Sequence, residues 1–150
     1  MPMKTPKNIF TNGAITPDFI AASIAKHATK TNIGAHSIFL GQVRADELNG
    51  QQVAAIEYTA YTQMALELAH TIREQIFAQF PLTCMHVYHS VGVVEAGQIC
   101  LFVFTSSAHR HAAMEACNVT VERIKSELPI WGKEIFTNQT HRWKKPNAPV

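Results

Sequence analysis

The sequence predicts an α+β fold, and three observations carry that expectation. Two long segments, 62–80 and 108–128, repeat apolar residues at three- and four-residue steps, and each is closed by a proline, Pro81 and Pro129. An unbroken apolar run at 99–104 has the length of a strand and suits a central position buried on both faces. An Asn49-Gly50 dipeptide between two stretches of strand composition, 34–44 and 53–59, marks a tight hairpin turn.

Residues 1–15 read as a lead-in with a short strand at 8–10. Thr16-Pro17-Asp18 supplies a hydroxyl cap, a proline at the first helical position and an acid in the first turn. A helix is predicted over 16–29, with Phe19, Ile20, Ile24 and His27 facing inward. The 34–44 strand, the 45–51 loop and the 53–59 strand follow. In 62–80 the buried stripe is Ala65, Leu68, Ile72, Ile76 and Phe80. A strand is expected at 83–89, and the two glycines of 91–97 suggest a turn. In the 108–128 helix, Cys117, Val121, Ile124 and Leu128 fall within about 60° of one another at about 100° per residue, so they form its buried stripe. Lys125 lies about 80° from Cys117 on that wheel, at the flank of the stripe. A lysine there can rest its stem on apolar surface and present its ammonium to a cleft. A short strand at 134–136 and a basic tail at 140–145 complete the chain. With no repeat, linker or low-complexity segment, a single domain is expected over 1–150, with 144–150 as its tail.

The bulk properties exclude several function classes. Apolar residues make up 47% and charged residues 16% of the 150, a globular composition. A net charge of +2 is too small for general nucleic-acid binding, so any anion site must be local. Cys84, Cys100 and Cys117 have no CxxC spacing and fall on apolar strand or helix positions, which points to small core hydrophobes in a reducing compartment. The N-terminus lacks a signal-like apolar run and no stretch approaches a membrane span, so a cytoplasmic protein without membrane association is expected.

Cationic groups cluster around one helix: His109, Arg110, Lys125 and Lys133 bracket 108–128. His109-Arg110 sits where free N–H groups and the helix dipole favour an anion, although Ser106 or Ser107 could simply cap the helix. Arg44 ends a strand beside Gly41 and can clamp a phosphate or carboxylate, or stand solvated. Lys125 and Lys133 read either as surface lysines or as cleft cations. His109-x-His111 and His86-x-x-His89 match no recognised zinc spacing, and on a strand His86 and His89 face opposite ways, so no dedicated metal site is expected.

Taken together, GAHSIFLGQVR (34–44), AIEYTAYTQMA (55–65), HSVGVVEAGQ (89–98), SAHRHAAMEAC (107–117) and IKSELPIWGKE (124–134) resemble, in order and spacing, the large catalytic subunit of molybdopterin synthase, a MoaE-like family. The resemblance covers roughly residues 33–143. It implies an α/β hammerhead-type fold with an additional antiparallel sheet. It implies a homodimer of large subunits at the centre of a heterotetramer, with a small ubiquitin-like sulfur-carrier subunit at each end. The partner's C-terminal Gly-Gly tail carries a thiocarboxylate, the sulfur donor, so no cofactor is needed. The implied substrate is cyclic pyranopterin monophosphate and the product molybdopterin. The implied pocket residues are Gln42, Val43, Arg44, His109, Arg110, Lys125, Gly132, Lys133 and Glu134, with Lys125 and Lys133 catalytic and the His-Arg pair supplied by the other large subunit.

Two positions depart from the family pattern: Gly132 stands where lysine commonly follows the tryptophan, and Ser90 where arginine follows the histidine. Both departures would remove a basic group near an anion site. In an extended segment, side chains 132 and 133 point to opposite faces. The alternative reading is therefore a dimeric subunit that docks the small partner with weakened or lost catalysis.

Overall fold

A computed structural model describes residues 7–143; the outer parts of the expected lead-in and tail, including Lys144 and Lys145, lie outside the described residues. The architecture is α+β, as the pattern predicts. It comprises β1 (Phe10–Asn12), α1 (Pro17–Lys26), a 3-10 turn (His27–Thr29), β2 (Ala35–Gln42), β3 (Glu47–Leu48), β4 (Gln51–Ala60), α2 (Thr62–Gln79), β5 (Cys84–Glu95), β6 (Ile99–Ser107), α3 (Arg110–Glu127), β7 (Ile130–Phe136) and β8 (His141–Trp143). The strands join in the order β2-β6-β5-β4-β7-β8, with β1 beside β5 and β3 beside β4. All pairs are antiparallel except β1 with β5.

β6 is the two-sided strand the apolar run predicts. Its Leu101 and Val103 pack into the cluster with Ile72, Ile76, Cys117, Val121 and Ile124 from α2 and α3. Its Phe102 and Phe104 pack on the other face with Ile15, Ile20 and Tyr88. The predicted stripe of α3 is fully buried. In α2 the buried line is Ala65, Ala69, Ile72 and Ile76, while Leu68 and Phe80 are only half-buried. Asn49 and Gly50 both adopt positive φ, 52° and 77°, the backbone that a two-residue hairpin turn requires.

Several expectations are corrected. No residue of α1 is buried: Phe19 and Ile24 are 38% and 42% exposed, because the helix touches the sheet at its two ends and no further layer among the described residues covers it. Phe19 meets Tyr88 and Phe102 edge-on, and His27, in the 3-10 turn beyond α1, is buried against Phe104. The first strand is Phe10–Asn12, shifted from 8–10. The turn expected at 91–97 is strand through Glu95, with only Ala96 and Gly97 of that stretch left to turn. Gly92 bends that strand at φ +83°. Up to His89, β5 pairs with β6; from Gly92, it pairs with β4. The strand expected at 134–136 begins at Ile130, since β7 pairs along β4 from Ala60 to Val53. Part of the basic tail is β8, paired to β7.

The uneven burial predicts uneven costs. Ile76→Ala should lower stability by about 2–5 kcal/mol, whereas Ile24→Ala should cost less than about 0.5 kcal/mol. Urea denaturation of both variants checks this; comparable losses would contradict the placement of α1.

Candidate functional site

An open cleft of about 460 Å³ lies where the end of β2, the middle of β4 and the last turns of α3 converge. A bulge between Gly41 and Gln42 breaks the β2–β6 register and re-aims the segment that follows. Val43 is buried and pinned to the 96–98 turn, accepting from Gly97 N at 2.8 Å and donating to Gln98 O at 3.0 Å. Gln42 and Arg44 are thereby exposed at the rim. Arg44 Nε lies 3.3 Å from Asp46 Oδ1 with both side chains about half exposed, 50% and 46%. Such a pair is worth at most about 1 kcal/mol, so an incoming anion can displace the aspartate.

Lys125 reaches the cleft because the α3 stripe is buried beside it: Val121 lines the floor while Glu122 and Lys125, on the flank, line the wall. The floor continues through Ile56, Tyr58 and Cys100. Behind Tyr58 stands His89, with ring centroids 5.2 Å apart. His89 is buried and its Nδ1 donates to Ser90 O at 2.8 Å, which fixes the proton on that nitrogen. Burial pushes its pKa down to about 4; the Ser90 carbonyl opposes that shift and the charge of Lys125 adds to it. Burial, with Cys100 and Glu134 nearby, pushes the Tyr58 hydroxyl well up. Cys100, the one thiol lining the cleft among the described residues, donates to Gly41 O at 3.4 Å and is thereby engaged with backbone.

The predicted residues do not all meet here. Gln42, Val43, Arg44, Lys125 and Glu134 line the cleft. Glu134 is 4% exposed and its carboxylate accepts from Arg142 Nη2 at 2.8 Å. Gly132 lies opposite Tyr58 on β4 and is buried; a Cβ there would sit 2.9 Å from Ile56 Cγ2. Lys133 points to the other face of β7, as strand alternation requires. Its Nζ lies 3.0 Å from Glu57 Oε1 and 5.7 Å from the Trp143 ring centre, so within one chain it does not enter the cleft and cannot replace a lysine at 132. Ser90 is fully buried, and alternation puts it on the face of Tyr88, opposite His89. An arginine there would not face this cleft.

His109 and Arg110 lie apart, exposed in a separate cavity of about 560 Å³ with Gly34 and Met114. The helix begins at Arg110 with His109 as a cap residue that makes no side-chain capping bond. Neither serine caps it: Ser106 Oγ bonds His36 Nδ1 and Ser107 Oγ donates to Pro81 O, both within β6. Tyr58 belongs to no chemical motif of the sequence and His89 only to the His86-x-x-His89 spacing, though both lie in segments that carry the family resemblance. Their signal was a polar aromatic group on an otherwise apolar strand face. His86 and His89 do face opposite sides of β5: His86 stacks with Tyr88 toward α1, and His89 meets Tyr58.

Comparison with known proteins agrees on the kind of fold. The MoaE family, described as MoaE protein, matches residues 15–127. A molybdopterin synthase catalytic subunit from Drosophila grimshawi is 40% identical over 114 residues, 75% of this chain and 31% of that protein. The one from Pyrococcus abyssi is 32% identical over 126 residues, 84% of each chain. The crystal structure of molybdopterin synthase from Staphylococcus aureus superposes with a TM-score of 0.78 at 28% identity, over 91% of this chain and 95% of that one. This chain thus spans under a third of the insect relative and most of the archaeal one.

Two outcomes follow from the packing under the cleft. Gly132→Ala should lower stability by about 1–3 kcal/mol, because its methyl would overpack Ile56; unchanged urea midpoints would refute the contact. The unfolded chain holds His89 near the ordinary 6.5 and the folded chain near 4, so between those values the unfolded chain binds the extra proton. The contribution is complete above pH 6.5 and is lost as pH falls toward 4, amounting to about 3 kcal/mol. In His89→Gln the loss of stability over that window should be visibly shallower.

Proposed function

The chain belongs to the MoaE protein family, and on that premise we propose that it is the catalytic subunit of a molybdopterin synthase. The observation that carries this reading is the convergence, in one cleft, of the Gln42-Val43-Arg44 bulge with Lys125 of α3. The substrate is cyclic pyranopterin monophosphate. Arg44 exchanges its exposed partner Asp46 for the substrate phosphate, a bidentate contact stronger than the surface pair it replaces. Gly41, with no side chain, keeps the β2 side of the cleft narrow enough in bulk for the extended tail of the small ubiquitin-like subunit to lie along it.

Each transfer forms a carbon–sulfur bond between the tail's thiocarboxylate and an oxygen-bearing carbon of the pterin side chain. The carbon–oxygen bond there breaks, the oxygen leaving with the ring-opened phosphate ester at one carbon and as water at the other. Water then cleaves the acyl–sulfur bond, the tail leaves as a carboxylate and the sulfur stays on the pterin. Two such transfers build the dithiolene. Lys125 supplies the positive charge beside the anionic sulfur and the charge that develops as it attacks, and it hands on protons. Sulfur comes from the partner, so no cofactor is assigned and Cys100 keeps its backbone contact. His109 and Arg110, outside their own chain's cleft, reach that of a second copy in a homodimer, the core of a cytoplasmic heterotetramer. They add phosphate contacts there. Lys133 is given no catalytic role.

One observation favours the weaker reading, a docking subunit with reduced catalysis. The cleft of one chain holds a single lysine, and Gly132 has no room for a second. A single-turnover assay separates the two. The purified protein is mixed with thiocarboxylated small subunit and cyclic pyranopterin monophosphate, and molybdopterin is read by the fluorescence of its oxidised form. Product that requires both additions is expected. Lys125→Ala should slow it by about 100-fold or more with dimerisation and partner binding intact, and Lys133→Ala should leave it nearly unchanged. Retained activity in Lys125→Ala would remove its assigned role. No product from the unaltered protein, with partner binding intact, would establish the docking reading.

A further inference from the structure

On the sheet face away from the cleft, three nitrogen and sulfur donors converge that sulfur transfer does not use. They are His27 from the 3-10 turn after α1, and Cys84 and His86 from β5. One donor atom from each lies within 4.8 Å of the other two. His27 is buried and its Nδ1 lies 2.7 Å from Ser23 O. A carbonyl only accepts, so Nδ1 carries the proton and the Nε2 lone pair faces the group. A backbone carbonyl orienting the far nitrogen in this way is the usual support of a metal-bound histidine. His86 Nε2 stands 3.1 Å from His27 Nε2, and its Nδ1 faces Lys7 Nζ at 3.0 Å. Cys84 Sγ is buried and accepts from Lys30 Nζ at 2.8 Å.

We propose that His27, Cys84 and His86 form a zinc site that ties the end of α1 to β5. Two imidazoles and one thiolate are a donor set suited to Zn²⁺. Tetrahedral zinc, with Zn–N near 2.0–2.1 Å and Zn–S near 2.3 Å, sets N···N at about 3.3 Å and N···S at about 3.6 Å. The two Nε2 atoms already stand close to that spacing, and a small rotation of Cys84 supplies the third. The fourth position is left to water. Binding displaces two protons from the donor atoms. The Cys84 thiol proton goes to solvent, and the proton between the imidazoles moves from His86 Nε2 to its Nδ1. Lys7, which is exposed, then swings away from that nitrogen.

Lys7, Lys30 and Arg73 oppose a cation here. A neutral imidazole is the form that ligates, and the Cys84 thiolate offsets part of the repulsion. The site also answers a structural deficit. α1 buries none of its own residues, so its attachment rests on Phe19 and Ile20 at one end and His27 at the other. This inference is independent of the sulfur-transfer reading.

The test uses the full-length protein stripped of metal. Zn²⁺ is titrated against a chromophoric chelator, and Co²⁺ serves as a spectroscopic substitute. One metal per chain is expected, with a thiolate-to-cobalt charge-transfer band. Binding should weaken by more than about tenfold in Cys84→Ser and His86→Gln and persist in Cys117→Ser. Zn²⁺ should raise the Tm of the unaltered protein and not of the Cys84 and His86 variants. Absence of stoichiometric binding, or cobalt without the thiolate band, would overturn the site. Equal affinity in Cys84→Ser would do the same and point to exposed histidines such as His109 and His111. If Cys84→Ser does not fold, the cobalt spectrum of the unaltered protein together with His86→Gln still decides.

Discussion

The architecture depends on one bend in β5. At Gly92 the strand takes φ +83°, where a Cβ would stand 3.2 Å from Asn12 Oδ1. A side chain at this residue would be strained and crowded at once. Before the bend the strand is hydrogen-bonded to β6, and after it to β4. One strand thereby holds two half-sheets that would otherwise be separate: β2-β6-β5 on one side and β5-β4-β7-β8 on the other. The cleft draws its lining from both halves, β2 and β6 on one side and β4 and β7 on the other, with α3 beside them. Tyr58 pairs with Gly92 itself, so the cleft floor is built at the bend.

Burial does the rest of the positioning. β6 is buried on both faces, which fixes α3 against Leu101 and Val103 through Cys117, Val121 and Ile124. A helix held by that stripe has no freedom to rotate, and Lys125 is carried to the rim as a consequence. Charge pairing contributes direction more than stability. The Arg44–Asp46 pair is half exposed and exchangeable, whereas Glu134 is 4% exposed and held by Arg142. The first is suited to handing an arginine to a ligand; the second is suited to holding a buried carboxylate in place.

The two faces of the sheet therefore serve different ends. The face toward α2 and α3 carries the large core and the cleft. The face toward α1 carries a small aromatic cluster and, at its far end, the group of His27, Cys84 and His86. A short helix over aromatic side chains leaves its own outer residues exposed, which is why Ile24 belongs to no core.

The sequence by itself determined the α+β class, the helix stripes, the Asn49-Gly50 turn and the two-sided nature of β6. Each is a local pattern, readable because side-chain direction repeats with period 3.6 or 2. It also marked Arg44 and Lys125, to which the family resemblance added Gln42, Val43 and Glu134, and the cleft brings these five together. Only the tertiary structure decided that β5 runs through 91–95, that Trp131 to Lys133 is strand, and that Lys133 and Ser90 face away from the cleft. It alone joined His27 to Cys84 and His86 across more than 50 residues, and separated His109 and Arg110 from the cleft of their own chain. Strand pairing is a contact between distant segments, and which face a side chain takes follows from the partner its strand finds, information that no local window of sequence contains.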